Sequence, residues 1–129
     1  MIHHIEIYVS NLSETRKFYD LLLSELGYRL YQDWEQGFSY KYGNYYIVFV
    51  QTEDEYLKNG YHRKNTGLNH LAFAVDNGQK VDKLRQKLIN NGVNEQYVNS
   101  YPFAGGPNHY AFYFEDPDRI KVEIVAKEI

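Results

Sequence analysis

The chain has 129 residues, 14 basic and 17 acidic side chains for a net charge of −3, and no cysteine. A chain of this length buries roughly two-thirds of its surface on folding and needs no covalent staple; the missing thiols exclude a disulfide framework and any thiolate metal site, and fit a reducing compartment. The interspersed charges exclude the basic stripe of a nucleic-acid binder, and the longest strongly apolar run, residues 45–50, falls far short of the roughly 20 needed to span a bilayer. Residues 1–4 carry no basic stretch ahead of an apolar run, so no secretory leader is expected and a cytoplasmic location is. With 14 tyrosines and 7 phenylalanines against one tryptophan, the rings either form a sheet core or line a cavity.

Residues 4–9 alternate. Ile5, Ile7 and Val9 fall on one face of a strand; His4, Glu6 and Tyr8 fall on the other. Asn11-Leu12-Ser13-Glu14 reads as a helix cap followed by an acid three residues later. Leu12, Phe18, Tyr19, Leu22 and Leu26 then recur at helical spacing, and Gly27 closes the helix. Three strand-like segments follow at about 28–32, 38–42 and 45–51, the last two joined by a Gly43-Asn44 turn. The polar stretch 53–66 breaks the pattern and reads as a linker, with one helical turn at about 53–58.

A second copy repeats the order. Leu71, Phe73 and Val75 alternate with His70, Ala72 and Ala74. Asp76 or Asn77 caps a helix holding Val81, Leu84, Leu88 and Ile89, and Gly92 ends it. Segments 96–101 and 109–115 read as strands either side of a 102–107 loop holding Gly105-Gly106, and after Asp116-Pro117-Asp118 a last strand runs over about 120–125. The plan is βαβββ twice, an α+β chain of two modules, about 1–52 and 67–129. Aligned on the final strands, Phe49 falls over Glu123.

The chemistry-bearing residues sit at matched places. His4 and His70 open the two copies, and Glu123 lies in the last strand. Two imidazoles and a carboxylate are a metal-ligand set that leaves coordination positions open, and a ligand at the head of each copy points to a site made by packing the copies together. His109 and Tyr113 share a parity and stand as acid–base candidates. Tyr8, Ala72 and Lys121 share parity with the proposed ligands, and Tyr101 and Phe103 flank the glycine loop as a rim that touches substrate. His3 and His62 read as solvent residues.

These residues resemble the vicinal oxygen chelate superfamily, which holds glyoxalase I, the fosfomycin- and bleomycin-resistance proteins and the extradiol dioxygenases. The resemblance rests on His4-Ile5-Glu6-Ile7-Tyr8-Val9, on Gly67-Leu68-Asn69-His70-Leu71-Ala72-Phe73-Ala74-Val75-Asp76, on Gly105-Gly106, and on Glu115-Asp116-Pro117-Asp118-Arg119-Ile120-Lys121-Val122-Glu123-Ile124-Val125. It covers the whole chain as one glyoxalase-like domain. It implies a curved mixed sheet around a metal cleft, with ligands from the first and last strand of each module: His4, Phe49, His70 and Glu123. Phe49 cannot bind metal, so the set expected is His4, His70 and Glu123 on a divalent Fe, Mn, Co, Ni or Zn ion, with Phe49 lining the substrate pocket. Arg119 stands where many relatives have glycine, which alters only turn geometry. The implied function is a metal-dependent glyoxalase- or dioxygenase-type enzyme acting on a small oxygen-chelating substrate, as a homodimer. A non-catalytic drug-binding protein of the bleomycin-resistance type is the alternative.

Overall fold

The computed structural model describes residues 1–128. It contains two compact units, Met1–Gly60 and Tyr61–Ile129. Each is a βαβββ module with its own four-stranded mixed sheet. Among the described residues no helix is long and apolar enough to cross a membrane.

The first module runs β1 (His4–Val9), α1 (Leu12–Glu25), β2 (Arg29–Trp34), β3 (Gly37–Tyr42) and β4 (Tyr45–Gln51), in sheet order β1-β4-β3-β2. β1 pairs parallel with β4, and the other pairs are antiparallel. Asn11 caps α1 by accepting the Glu14 N–H at 3.1 Å, and Gly27 takes the left-handed conformation (φ +88°) that ends the helix. One face of the sheet meets α1. Phe38, Tyr40, Ile47, Phe49 and Val9 pack there against Tyr19, Leu22 and Leu23, all buried. Phe49 stacks on both Tyr19 and Phe38, with ring centroids 4.2 and 5.1 Å apart.

A short 3₁₀ turn, Asp54–Asn59, follows where a helical turn is expected. The second module then runs β5 (His70–Asn77), α2 (Gly78–Asn90), β6 (Asn94–Gln96), β7 (Ala111–Glu115) and β8 (Lys121–Glu128), in order β5-β8-β7-β6. Asn77, rather than Asp76, caps α2 by accepting the Lys80 N–H at 3.0 Å. Leu71, Phe73, Phe112, Phe114, Val122 and Ile124 form the buried face, with Val81, Leu84 and Leu88 of α2.

The strand expected at 96–101 shrinks to β6, and a second 3₁₀ turn, Val98–Ser100, replaces its end. Tyr97 interrupts the strand because its backbone is left-handed (φ +56°), which no strand accommodates. β7 likewise begins at Ala111, so His109 belongs to the turn before it. Arg119 has φ +65°, the conformation glycine favours, as its place in the Asp116-Pro117-Asp118 turn implies.

The segment read as linker is partly built into the second module. Arg63 donates to Glu115 Oε2 at 2.5 Å and to the Arg119 carbonyl at 3.1 Å, and Tyr61 donates to the Leu68 carbonyl at 2.7 Å. Glu115 is buried and also accepts from Asn94 at 2.6 Å. Burial alone would raise its carboxyl pKa; the hydrogen bonds from Arg63, Asn94 and Arg119 outweigh burial and lower it.

Candidate active site

Strand register decides which side chains of the second module meet. His70 pairs with Lys121 and Ala72 with Glu123 across β5 and β8; Tyr113 pairs with Glu123 and Glu115 with Lys121 across β7 and β8. Residues opposite one another in a ladder project to the same side. His70, Ala72, Lys121, Glu123, Tyr113 and Glu115 therefore share the face turned away from α2.

Glu123 is the centre of this face. It is only 3% exposed, and both of its oxygens are engaged. His70 Nε2 lies 3.2 Å from Oε1, and His109 Nε2 is hydrogen-bonded to Oε2. Tyr113 also bonds to the carboxylate. Burial, then the Glu123 charge, then that hydrogen bond push the Tyr113 phenol up to about 12, so it stays protonated at neutral pH.

His109 reaches Glu123 from a tight turn. Its N–H donates to the Gly106 carbonyl at 3.2 Å. Gly105 lies under the same turn: a Cβ there would stand 2.6 Å from His109 Cδ2 and 2.7 Å from the Tyr113 hydroxyl. Only glycine fits while both groups hold the carboxylate.

The His70 tautomer follows from its neighbour. Asn69 Nδ2 donates to the Arg63 carbonyl at 3.3 Å, an acceptor-only group, so the Asn69 Oδ1 is the atom 2.8 Å from His70 Nδ1. Nδ1 thus carries a proton, and Nε2 faces a carboxylate oxygen across a gap that either a proton or a cation can bridge. Two lone pairs at this separation repel unless a proton or a cation lies between them.

That arrangement is the test of the expected metal. Two donors about 2.1 Å from one ion and at right angles stand about 3 Å apart, close to the separation of His70 Nε2 and Glu123 Oε1. An imidazole fixed by a hydrogen bond at its far nitrogen is also how metal-ligating histidines are held. The pair fits as two donors. Among the described residues no group of three or more His, Cys, Asp or Glu side chains is arranged to hold an ion by itself.

His4 belongs to the first module. Its ring stacks on Tyr46 at 4.8 Å with an interplanar angle of 4°, and its Nδ1 lies 2.9 Å from His3 Nδ1. Nε2 is therefore the nitrogen it offers to a ligand. His3 is exposed but tied to His4 rather than free in solvent. Tyr8 is 58% exposed on the His4 face of β1. His62 is exposed and accepts the Lys64 N–H in a local turn.

Three expected pocket residues lie elsewhere. Phe49 is fully buried under α1, on the face opposite His4, because it pairs with Ile7 in the β1–β4 ladder. The residue paired with Glu6 is Val48, just as Glu123 is paired with Ala72. Val48, not Phe49, occupies the place of Glu123; the sequence alignment of the two copies was off by one residue, and the fourth position is still a non-ligand. Tyr101 and Phe103 are turned to α2. Tyr101 donates to Asp82 and lies under the Arg85 guanidinium, 4.0 Å from it, while Phe103 packs edge-on to Tyr110. Tyr110 donates to the same Asp82 at 2.7 Å. One carboxylate on α2 thus pins the loop at both ends, which draws Tyr101 and Phe103 away from Glu123.

Asn69 and Tyr97 are neighbours of this face that the residue pattern did not single out, and Gly105 was read only as part of the glycine rim. The Tyr97 ring packs edge-on to Tyr113 at 5.4 Å, and its hydroxyl accepts from Lys121 Nζ at 3.3 Å. The signal for Asn69 was available: an amide directly before a candidate histidine ligand.

A family model described as the Glyoxalase/Bleomycin resistance protein/Dioxygenase superfamily matches residues 1–124. YqjT, an uncharacterized protein of Bacillus subtilis (strain 168), is 49% identical over 125 residues, 97% of this chain and 98% of that protein. The crystal structure of a candidate glyoxalase from Bacillus halodurans is 58% identical with a TM-score of 0.96, covering 98% of this chain and 95% of that one. A glyoxalase/bleomycin resistance protein from Albidiferax ferrireducens T118 aligns over 98% of each chain at a TM-score of 0.73 and 22% identity, a likeness of fold alone.

Proposed function

Since this chain belongs to the glyoxalase/bleomycin resistance protein/dioxygenase superfamily, we propose that it is a divalent-metal-dependent enzyme acting on a small substrate with neighbouring oxygen atoms. The observation that carries this reading is the Nε2 of His70, its ring oriented by Asn69, facing the buried Glu123 carboxylate at 3.2 Å. His70 and Glu123 hold the ion, and His4 is the third ligand expected from the sequence. When bound, the ion supplies Lewis-acid stabilisation of negative charge developing on a substrate oxygen.

The chain's own groups do the rest. Asn69 orients the His70 ring by accepting from its Nδ1. His109, held in place by the hydrogen bond of its Nε2 to Glu123 Oε2, takes and returns a proton at the substrate. Tyr113 offers a proton that it does not lose below about pH 12. Ala72 and Ala74, exposed on the same face, leave room for a ligand. The chain works as a homodimer in the cytoplasm under this proposal.

The test is metal stoichiometry. Apo-protein is loaded in turn with Mn²⁺, Fe²⁺, Co²⁺, Ni²⁺ and Zn²⁺, and bound metal is measured in the wild type, His4→Ala, His70→Ala and Glu123→Ala. One ion per chain is expected in the wild type, with loss in all three variants. A wild type that holds none of the five overturns the proposal. Retention in His4→Ala alone removes His4 from the set. Turnover is then screened on diols, epoxides and hemithioacetals.

A second reading, capture of an aromatic or cationic drug without turnover, has its own support in the first module. The exposed Tyr31 and His4 rings adjoin the half-buried Tyr46 ring between them, with Lys41 Nζ 4.4 Å from the Tyr31 ring. Binding of planar aromatic cations by a protein that takes up no metal would favour it.

A further inference from the structure

Next to His70 on the shared face stands Lys121, its ladder partner. The side chain does not run free into solvent. Its ammonium donates to the Tyr97 hydroxyl at 3.3 Å and lies 5.5 and 5.9 Å from the Tyr97 and Tyr113 ring centroids. Tyr97 holds this position at the expense of its backbone, which is left-handed at φ +56° although tyrosine has a Cβ that disfavours it. Strain of this kind persists where the surroundings over-determine it, and it collects at ligand sites.

The charge on Lys121 is uncompensated. Its cross-strand neighbour Glu115 gives its oxygens to Arg63, Asn94 and Arg119. The turn carboxylate of Asp116 accepts the N–H groups of Asp118 and Ile120. Glu123 is occupied by two imidazoles and a phenol. Among the described residues Lys121 therefore forms no ion pair, and Arg63, Arg119 and Lys121 surround a single carboxylate in a chain whose net charge is −3. A cation cradled by aromatic rings, with no carboxylate paired to it, attracts an anion.

We propose that Lys121 and Tyr97 form an anion subsite beside the His70–Glu123 centre, so that the substrate is a small organic oxyanion, a carboxylate or a phosphonate, bearing a further oxygen donor. This rests on the placement of the reaction centre at His70 and Glu123. The lysine ammonium and the tyrosine hydroxyl hold the anionic group, and the neighbouring oxygen lies toward His70. Ala72, exposed and opposite Glu123, adds no bulk beside His70 on this face.

The test uses three probes on the full chain: glycolate, 2-hydroxyethylphosphonate and the neutral ethylene glycol. Binding is followed by amide chemical shifts, with and without loaded metal. Glycolate or the phosphonate is expected to shift the Tyr97 and Lys121 signals, ethylene glycol is not, and which anion binds more tightly distinguishes the two substrate classes. Affinity is expected to fall about tenfold in Lys121→Gln, the loss of one charge-assisted contact. It should fall a few-fold in Tyr97→Phe, recover in Lys121→Arg, and weaken with added salt. Metal stoichiometry of Lys121→Gln should equal that of the wild type. Anion-dependent shifts that persist in a protein holding no metal leave the subsite standing and remove the metal centre. A protein that binds metal but shows no shift at Lys121, or equal affinity in wild type and Lys121→Gln, overturns the subsite.

Discussion

Gly105 is the residue on which the site's geometry turns. A methyl group there would press on His109 and on the Tyr113 hydroxyl at 2.6 and 2.7 Å, and both are committed to Glu123. Gly105→Ala is therefore expected to displace His109 and lower stability by about 1–3 kcal/mol, read from the midpoint of urea unfolding. An unchanged midpoint would show that the turn yields without strain. This constraint was only half legible in the sequence. Gly105-Gly106 stands out as a loop signal, but nothing in the residue order says which glycine is crowded. His70 and Glu123 were legible because strand parity placed them on a polar face. Phe49 was misplaced for the same reason: parity is unforgiving, and a slip of one residue moves a side chain from one face of the sheet to the other.

Among the elements, the turn segment before β5 matters more than its composition implies. Polar residues and a glycine mark 53–66 as a connection, yet Arg63 carries the chief partner of a buried acid. The Arg63 and Glu115 side chains are 16% and 5% exposed. Arg63→Ala leaves the Glu115 charge buried with fewer donors and is expected to destabilise the chain by about 3–5 kcal/mol. Arg119 touches the same carboxylate but is 71% exposed, and its replacement by alanine should cost under about 1 kcal/mol. Comparable losses in the two variants, measured by thermal or urea unfolding, would contradict this ranking. Helices α1 and α2 were readable almost to the residue, because Asn11 and Asn77 are local start signals and Gly27 and Gly92 local stop signals. The β6 region was not, because the left-handed Tyr97 is held by ring packing on Tyr113 and by Lys121, contacts made far along the chain.

At the scale of the whole molecule, the tyrosine content becomes a pH dependence. Burial leads the upward shift of Tyr28, Tyr40, Tyr61, Tyr101 and Tyr113, and the bond to Asp82 leads that of Tyr110. A phenol that ionises near 10 when unfolded and near 12 in place releases its proton first from the unfolded chain. Stability is thus fully present below about pH 10 and is lost as pH rises through the folded value. Urea midpoints measured from pH 8 to pH 12 should be level at first and then fall, and Tyr113→Phe should fall less steeply. A midpoint that rises above pH 10 would reverse the sign of the argument. The composition alone left the rings' role open between core and cavity. The structure divides them: Tyr19 and Tyr40 are core, while Tyr113 stands beside the carboxylate with Tyr97 packed on its ring.

Val48 carries a consequence for how a repeated chain diversifies. It sits where the other module has Glu123, so the two copies share a scaffold but only one bears the desolvation penalty of a buried acid. The copy with valine has its packing without needing imidazoles or a phenol to hydrogen-bond a buried carboxylate. Its face is correspondingly free to change residue by residue, whereas Glu123 ties His70, His109, Tyr113 and Gly105 together, and none of these can drift without the others.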